Sequence, residues 1–177
     1  GLLGGARNPI TSNVPARAGK GSAYEGGVRV PLIISWPGTP NGTISAEPVI
    51  SMDLFPTLIE AAGLAIDLKR PIDGVSLASL VRGAARLNRD ALYWHYPHYH
   101  PGGATPYAAI RAGDFRLVQF YENGRNELYN LASDPGETKD LAGEMPDKLL
   151  ELGKKLHAWQ GAFGAQWHDR AGNPGGH

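Results

Sequence analysis

The sequence predicts an α/β chain in two parts, the last slice of an α/β domain followed by a small antiparallel sheet closed by a helix. Three observations carry this. Val30 to Trp36 is a short, mostly apolar run that stops at Pro37-Gly38, the pattern of a buried strand. Leu54, Phe55, Leu58, Ile59 and Ala62 recur at three- and four-residue spacing and give a helix one apolar face. From Leu87 onward the pattern changes to successive strand-like segments joined by short turns, which means an antiparallel meander.

Taken in order, residues 1–18 are rich in Gly, Asn, Pro and Ser without periodicity and read as loop. In the strand that follows, Pro31 lies near the start, where a missing N–H matters least. The next helix runs from Ser51 to Ala62, with Ser51 or Asp53 as cap, Pro56 in the first turn and Gly63 as stop. Asp53 is read as a cap rather than a catalytic group. Asp73-Gly74 marks a turn before a short helix from about Ser76 to Val81.

Strands are expected at Ala91–Tyr96, Tyr107–Arg111, Phe115–Tyr121 and Asn126–Leu131, with turns at Ala112-Gly113-Asp114 and Glu122-Asn123-Gly124. Residues 146–160 close the core with Leu149, Leu152, Leu156 and Trp159 on one helical face, opened by Pro146 and Asp147. The expected division is therefore residues 1–86, residues 87–162 and a mobile tail from 163 to 177.

The bulk properties narrow the partners. In 177 residues, 17 basic side chains balance 17 acidic ones, so no nucleic-acid or membrane-surface partner is indicated. No apolar run approaches the roughly 20 residues of a membrane span, and no signal peptide is visible. Cysteine is absent, which excludes disulfides and thiolate zinc sites. The 24 glycines and 14 prolines predict long irregular connections.

Ahead of the first strand, Lys20 sits between Gly19 and Gly21, and Gly26-Gly27 follows Tyr24-Glu25. Glycines let a ligand approach the main chain, and a lysine there offers a compact cation with three donors to an anionic oxygen. The same lysine also reads as an ordinary solvated surface residue. It is not a phosphate-binding P-loop, because no Ser or Thr follows it and no Gly-x-x-x-x-Gly-Lys precedes it.

The run Gly19-Lys20-Gly21-x-x-Tyr24-Glu25-Gly26-Gly27-x-Arg29-Val30-Pro31, with Trp36-Pro37-Gly38 beyond it, closely resembles type I sulfatases, arylsulfatase-like members of the alkaline phosphatase superfamily. Asp53-Leu54-Phe55-Pro56-Thr57, Asp73-Gly74-Val75-Ser76-Leu77 and Leu128-Tyr129-Asn130-Leu131-x-x-Asp134-Pro135-x-Glu137 are similar to that family in the family's order. The likeness covers most of residues 11–160. It implies the end of an alkaline-phosphatase-like mixed-sheet domain with a small C-terminal antiparallel subdomain. It implies further that the chain starting at Gly1 follows closely on the family's metal-binding Asp-Asn pair, and that its main partner is the missing N-terminal sulfatase portion.

By the same resemblance the complete enzyme hydrolyses aryl or carbohydrate sulfate esters with a formylglycine nucleophile and calcium or another divalent cation, neither held by residues of this chain. Asn13-Val14-Pro15-Ala16-Arg17 has Pro and Arg at the spacing of the formylglycine motif, but Asn13 cannot be converted. Lys20 matches the family lysine that contacts the sulfate. Arg17 is a second candidate for the anion, whereas Tyr24, Glu25 and Arg29 are read as holding the loop.

Trp94-His95-Tyr96-Pro97-His98-Tyr99-His100 leaves three readings open. Tyrosines can pack on the sheet with the histidines partly exposed, or the imidazoles can ligate a metal, though no carboxylate or thiolate accompanies them at ligand spacing. The resemblance favours the third, in which His95, His98 and His100 bind substrate, a sulfated small molecule or glycan. Family habit places the protein in the periplasm or outside the cell.

One polypeptide without nucleophile or acidic metal cluster is expected to hydrolyse no sulfate ester at a useful rate. A single electrostatic contact supplies on the order of 3 kcal/mol, far less than a whole enzyme requires. Two rivals accompany this reading, a phosphonate or phosphodiester hydrolase of the same superfamily and a non-catalytic module that binds sulfated glycan.

Overall fold

The computed structural model describes residues 12–65 and 71–166. Within these, residues 12–30 and 91–166 form one compact unit, and residues 31–65 and 71–90 form another.

The first unit is built on a four-stranded antiparallel sheet in the order β1-β2-β3-β4. Its strands are β1 (Leu92–Tyr96), β2 (Tyr107–Ala112), β3 (Phe115–Phe120) and β4 (Asn126–Asn130). The expected meander is therefore present, with Gly113 at φ +58° and Gly124 at φ +64° in its two tight turns, where a side chain would be strained. Successive side chains of a strand point to opposite faces, so the register assigns every residue a side. Tyr93 and His95 stand opposite Ile110 and Ala108, and Leu117 stands opposite Leu128. This face packs on α1 (Pro146–Ala162), where Leu152 and Leu156 are fully buried among Ala108, Ile110, Leu117 and Leu128. Trp159 stacks on Tyr93 at 5.0 Å. Pro146 opens α1 as expected, since a first-turn proline gives up no intrahelical bond.

The other face carries Trp94 and Tyr96 with Tyr107 and Ala109, then Val118 and Phe120. It is covered by the glycine-rich segment through Ala23 and Tyr24. The sheet is thus enclosed on one side by a helix and on the other by a loop.

The second unit holds α2 (Leu54–Ala61), preceded by a 3₁₀ turn at Ser51–Asp53, and α3 (Ala78–Val81). Two expectations fail here. Residues 30–36 form no strand, and Val30 and Ile33 are 80% and 92% exposed. A strand needs neighbours to receive its backbone hydrogen bonds, and none flanks this run among the described residues. Likewise the apolar face expected for α2 lies outward at Leu54, Phe55 and Leu58.

What α2 buries instead is Asp53, Pro56 and Thr57. Asp53 precedes α2 but, contrary to the expected cap, makes no side-chain capping bond to that helix. Its oxygens accept from Arg89 Nη1 at 2.7 Å and Nη2 at 2.9 Å, and from the N–H groups of Ile50 and Val75, both at 2.9 Å. Burial alone would raise this carboxyl, but the bonds from Arg89 and the two backbone N–H groups outweigh it and hold the carboxyl below its ordinary value. Residues 167–177, most of the tail expected to be mobile, lie outside the described residues, as do residues 1–11 of the N-terminal loop.

Because the folded Asp53 carboxyl is depressed, its stabilisation is complete above the ordinary carboxylate value near 3.9 and is lost as pH falls through the lower folded value. Arg89→Met leaves this buried carboxylate unpaired and is expected to cost about 3–5 kcal/mol, read as a fall in the urea midpoint. The variant should also lose the acid-limb dependence contributed by the pair.

Candidate active-site loop

Lys20 lies on an exposed loop whose flanks are tied down on every side. Asn13 Nδ2 donates to Ala18 O at 3.1 Å and to Gly26 O at 3.2 Å, so the residue at the formylglycine-like position staples the two ends of the loop. Gly26 N–H donates to Arg17 O at 2.9 Å, and a Cβ on Gly26 would come within 2.3 Å of that oxygen. Only glycine fits there.

Beyond the lysine, Gly21 has φ +81°, and its carbonyl accepts from Ala104 N–H at 2.8 Å. A Cβ on Gly21 would sit 2.2 Å from His100 Nδ1. The same nitrogen accepts from Gly102 N–H at 2.8 Å. The turn after β1 is thus seated directly on the Lys20 loop.

The deepest tether is electrostatic. Arg116 on β3 is completely buried and donates to Glu25 Oε1 at 3.1 Å, to Glu137 Oε1 at 3.1 Å and to the carbonyl of Ala23. Glu137 Oε2 accepts the Glu25 N–H at 2.7 Å, and Arg111 approaches Glu25 Oε2 at 3.4 Å. Glu137 holds a left-handed backbone at φ +50°, unusual away from glycine, and is itself fully buried. Burial raises its carboxyl, and Arg116 and the Glu25 N–H recover only part of that. Beside this cluster Tyr24 and Tyr129 both donate to Glu127 Oε2, at 3.0 and 2.8 Å. Burial, followed by the bond to Glu127, raises the Tyr129 hydroxyl.

The proposed site residues separate into groups. His100 is brought against the Lys20 loop. His98 is exposed, edge-on to Tyr96 at 5.5 Å. Arg17 lies over the Tyr24 ring at 3.7 Å and donates to Tyr129 Oη and Glu137 O, both at 3.0 Å. His95 belongs to the opposite, helix-covered face. Its Nε2 lies 3.0 Å from Gln166 O, which can only accept, so Nε2 carries the proton and Nδ1 accepts from Tyr121 Oη at 2.8 Å. Tyr24 and Glu25 hold the loop, as the sequence indicated.

A cleft of about 250 Å³ opens beside Ser22–Tyr24, between Gly103–Thr105 and the β3–β4 turn, with Phe120, Glu122, Asn123 and Arg125 in its wall. Among the described residues no group of three or more His, Cys, Asp or Glu side chains could hold a metal ion.

Arg116, Glu137, Glu127 and Tyr129 had no assigned role in the sequence. A charged residue inside the alternating run Phe115-Arg116-Leu117-Val118 was the available signal, because period two places Arg116 on the same face as buried Val118.

The family model described as N-sulphoglucosamine sulphohydrolase, C-terminal, matches residues 19–160, the span that contains both the loop and the sheet beneath it. The chain belongs to this family. A sulfatase of Formosa agariphila is 40% identical over 172 residues, covering 88% of this chain and 31% of its own length. The solved structure of Ps i-CgsB in complex with k-i-k-neocarrahexaose shares the fold with a TM-score of 0.70 at 27% identity, over 84% of this chain and 32% of that one. BT4656, solved in complex with its substrate D-glucosamine-2-N,6-O-disulfate, superposes with a TM-score of 0.52 at 29% identity, over 61% of this chain and 23% of that one. This member of the sulphohydrolase C-terminal family therefore spans about a third or less of the length of these relatives. No helix among its described residues is long and apolar enough to cross a membrane.

Gly21→Ala adds a methyl group where φ is positive and His100 already fills the space. It is expected to destabilise the first unit by more than about 1 kcal/mol and to shift the His100 ring resonances, because the turn after β1 must move away. An unchanged melting temperature with unchanged His100 signals would contradict this packing.

Proposed function

We propose that the chain is the C-terminal part of a sulfatase that hydrolyses carbohydrate sulfate esters, supplying Lys20 as the cation that offsets charge on the sulfate. The observation that carries the proposal is the placement of Lys20, exposed on a loop anchored through buried Arg116, inside the segment matched by the sulphohydrolase model. A lysine so held opposes charge as it develops on the ester oxygens and needs little reorganisation at the moment of reaction.

His100 and His98, on the turn beside the loop, are the imidazoles suited to contact the substrate. The cleft walled by Phe120, Asn123 and Arg125 offers an aromatic surface and polar groups to a sugar. Arg17 contributes from the edge of the loop, its guanidinium oriented by Tyr24 and Tyr129. His95, on the far side of the sheet, supports the strand that carries this turn.

The nucleophile and the divalent cation, formylglycine and calcium by family habit, are assigned to the rest of a longer polypeptide. The outward apolar side chains of the second unit, Leu54, Phe55 and Leu58 of α2 and exposed Ile33, are apolar surface that this remaining portion would cover. A periplasmic or extracellular location follows from the same habit.

In the full-length protein Lys20→Ala is expected to lower kcat/KM for a sulfate ester by about 10²–10³-fold. The measurement is a steady-state assay on glucosamine 6-sulfate and 4-nitrophenyl sulfate, with 4-nitrophenyl phosphate and a phosphonate monoester as comparators. Faster turnover of either phosphorus ester would replace the sulfatase reading with that of a phosphorus-ester hydrolase.

A further inference from the structure

We propose that Arg116 is a positioning residue that acts on catalysis through Lys20. This rests on the reading of Lys20 as the sulfate-binding cation and goes on to say what sets its place.

Among the described residues the Lys20 ammonium has no hydrogen-bond or ion-pair partner, so its position is set by the backbone beneath it. Besides the tethers at Ala18, Gly21 and Gly26, that backbone is held at Ala23 O and at the Glu25 carboxylate by Arg116 directly, and at the Glu25 N–H by Glu137, whose carboxylate Arg116 pairs. The planar guanidinium reaches these acceptors because its donors diverge in a fixed fork. A lysine at the same position keeps the charge and three donors, but all three leave one nitrogen, whereas here Nη1 meets the two carboxylates and Nη2, at the other tip of the fork, meets Ala23 O. The Arg116 Cζ lies over the Trp94 ring of β1, 5.5 Å from its centroid.

The chain of cause is therefore local. Arg116 touches no substrate, and its removal loosens Ala23–Glu25, which lets Lys20 drift. A displacement of about 1 Å in a group that must meet a reacting oxygen is enough for a large loss of rate.

The test is a double-mutant cycle in the full-length protein, using whichever of glucosamine 6-sulfate and 4-nitrophenyl sulfate is turned over faster. Arg116→Lys is expected to lower kcat/KM by roughly ten- to a hundredfold when Lys20 is present and to cause no further loss in the Lys20→Ala background. Amide exchange should quicken at Ala23–Gly27, while β2 and β3 retain their protection. Should Arg116→Lys fail to fold, Glu137→Gln takes its place. It leaves an oxygen for the Glu25 N–H and removes the charge facing Arg116, so the same non-additive pattern is expected at smaller amplitude.

Equal losses with and without Lys20, or an unchanged kcat/KM in the variant, would overturn the positioning role and leave the sulfatase reading standing. If Lys20→Ala itself has no effect, or neither sulfate ester is turned over, the reading of Lys20 fails and the positioning role falls with it.

Discussion

The first unit depends on one buried guanidinium. A charge out of water is costly unless it is paired, and Arg116, on β3, is paired only if two other segments converge on it. Those segments are the glycine-rich loop and the irregular stretch after β4. The pairing is therefore an all-or-none constraint rather than a collection of optional contacts. It explains why Glu137 accepts a left-handed backbone and why a loop with little apolar content of its own is still held against a sheet.

The pleat of that sheet sorts the chemistry. His95 and Tyr96 are neighbours in sequence, yet they serve opposite faces, one meeting Tyr121 and the Gln166 carbonyl and the other facing Tyr107. The turn that follows restores contact with the loop through His100. A stretch that reads as one cluster of imidazoles is thus divided, His95 on the helix-covered face, His98 exposed beside Tyr96 and His100 against the glycine-rich loop.

The second unit is organised differently. Its order comes from Asp53, which gathers Arg89, Ile50 and Val75 around one carboxylate, whereas Leu54, Phe55 and Leu58 of α2 point outward. Periodicity named the apolar face of α2 without naming what it packs on. The same is true of the apolar run at residues 30–36, whose composition suits a strand but whose hydrogen bonds need neighbours.

The sequence alone determined the four strands and their turns, the C-terminal helix and the family. These rest on local signals, namely period two, period 3.6, glycine at turn positions and short motifs that follow one another in the family's order. It also determined that Lys20 stands in a glycine-rich loop. Only the tertiary structure decided which histidine packs against that loop and that Asn13 staples it. It alone placed Arg116, Glu25 and Glu137 in one cluster. Those three residues are separated by 91 and 21 positions, and no local pattern encodes such a meeting. It follows from the need to pair a buried charge, which is met across space and not along the chain.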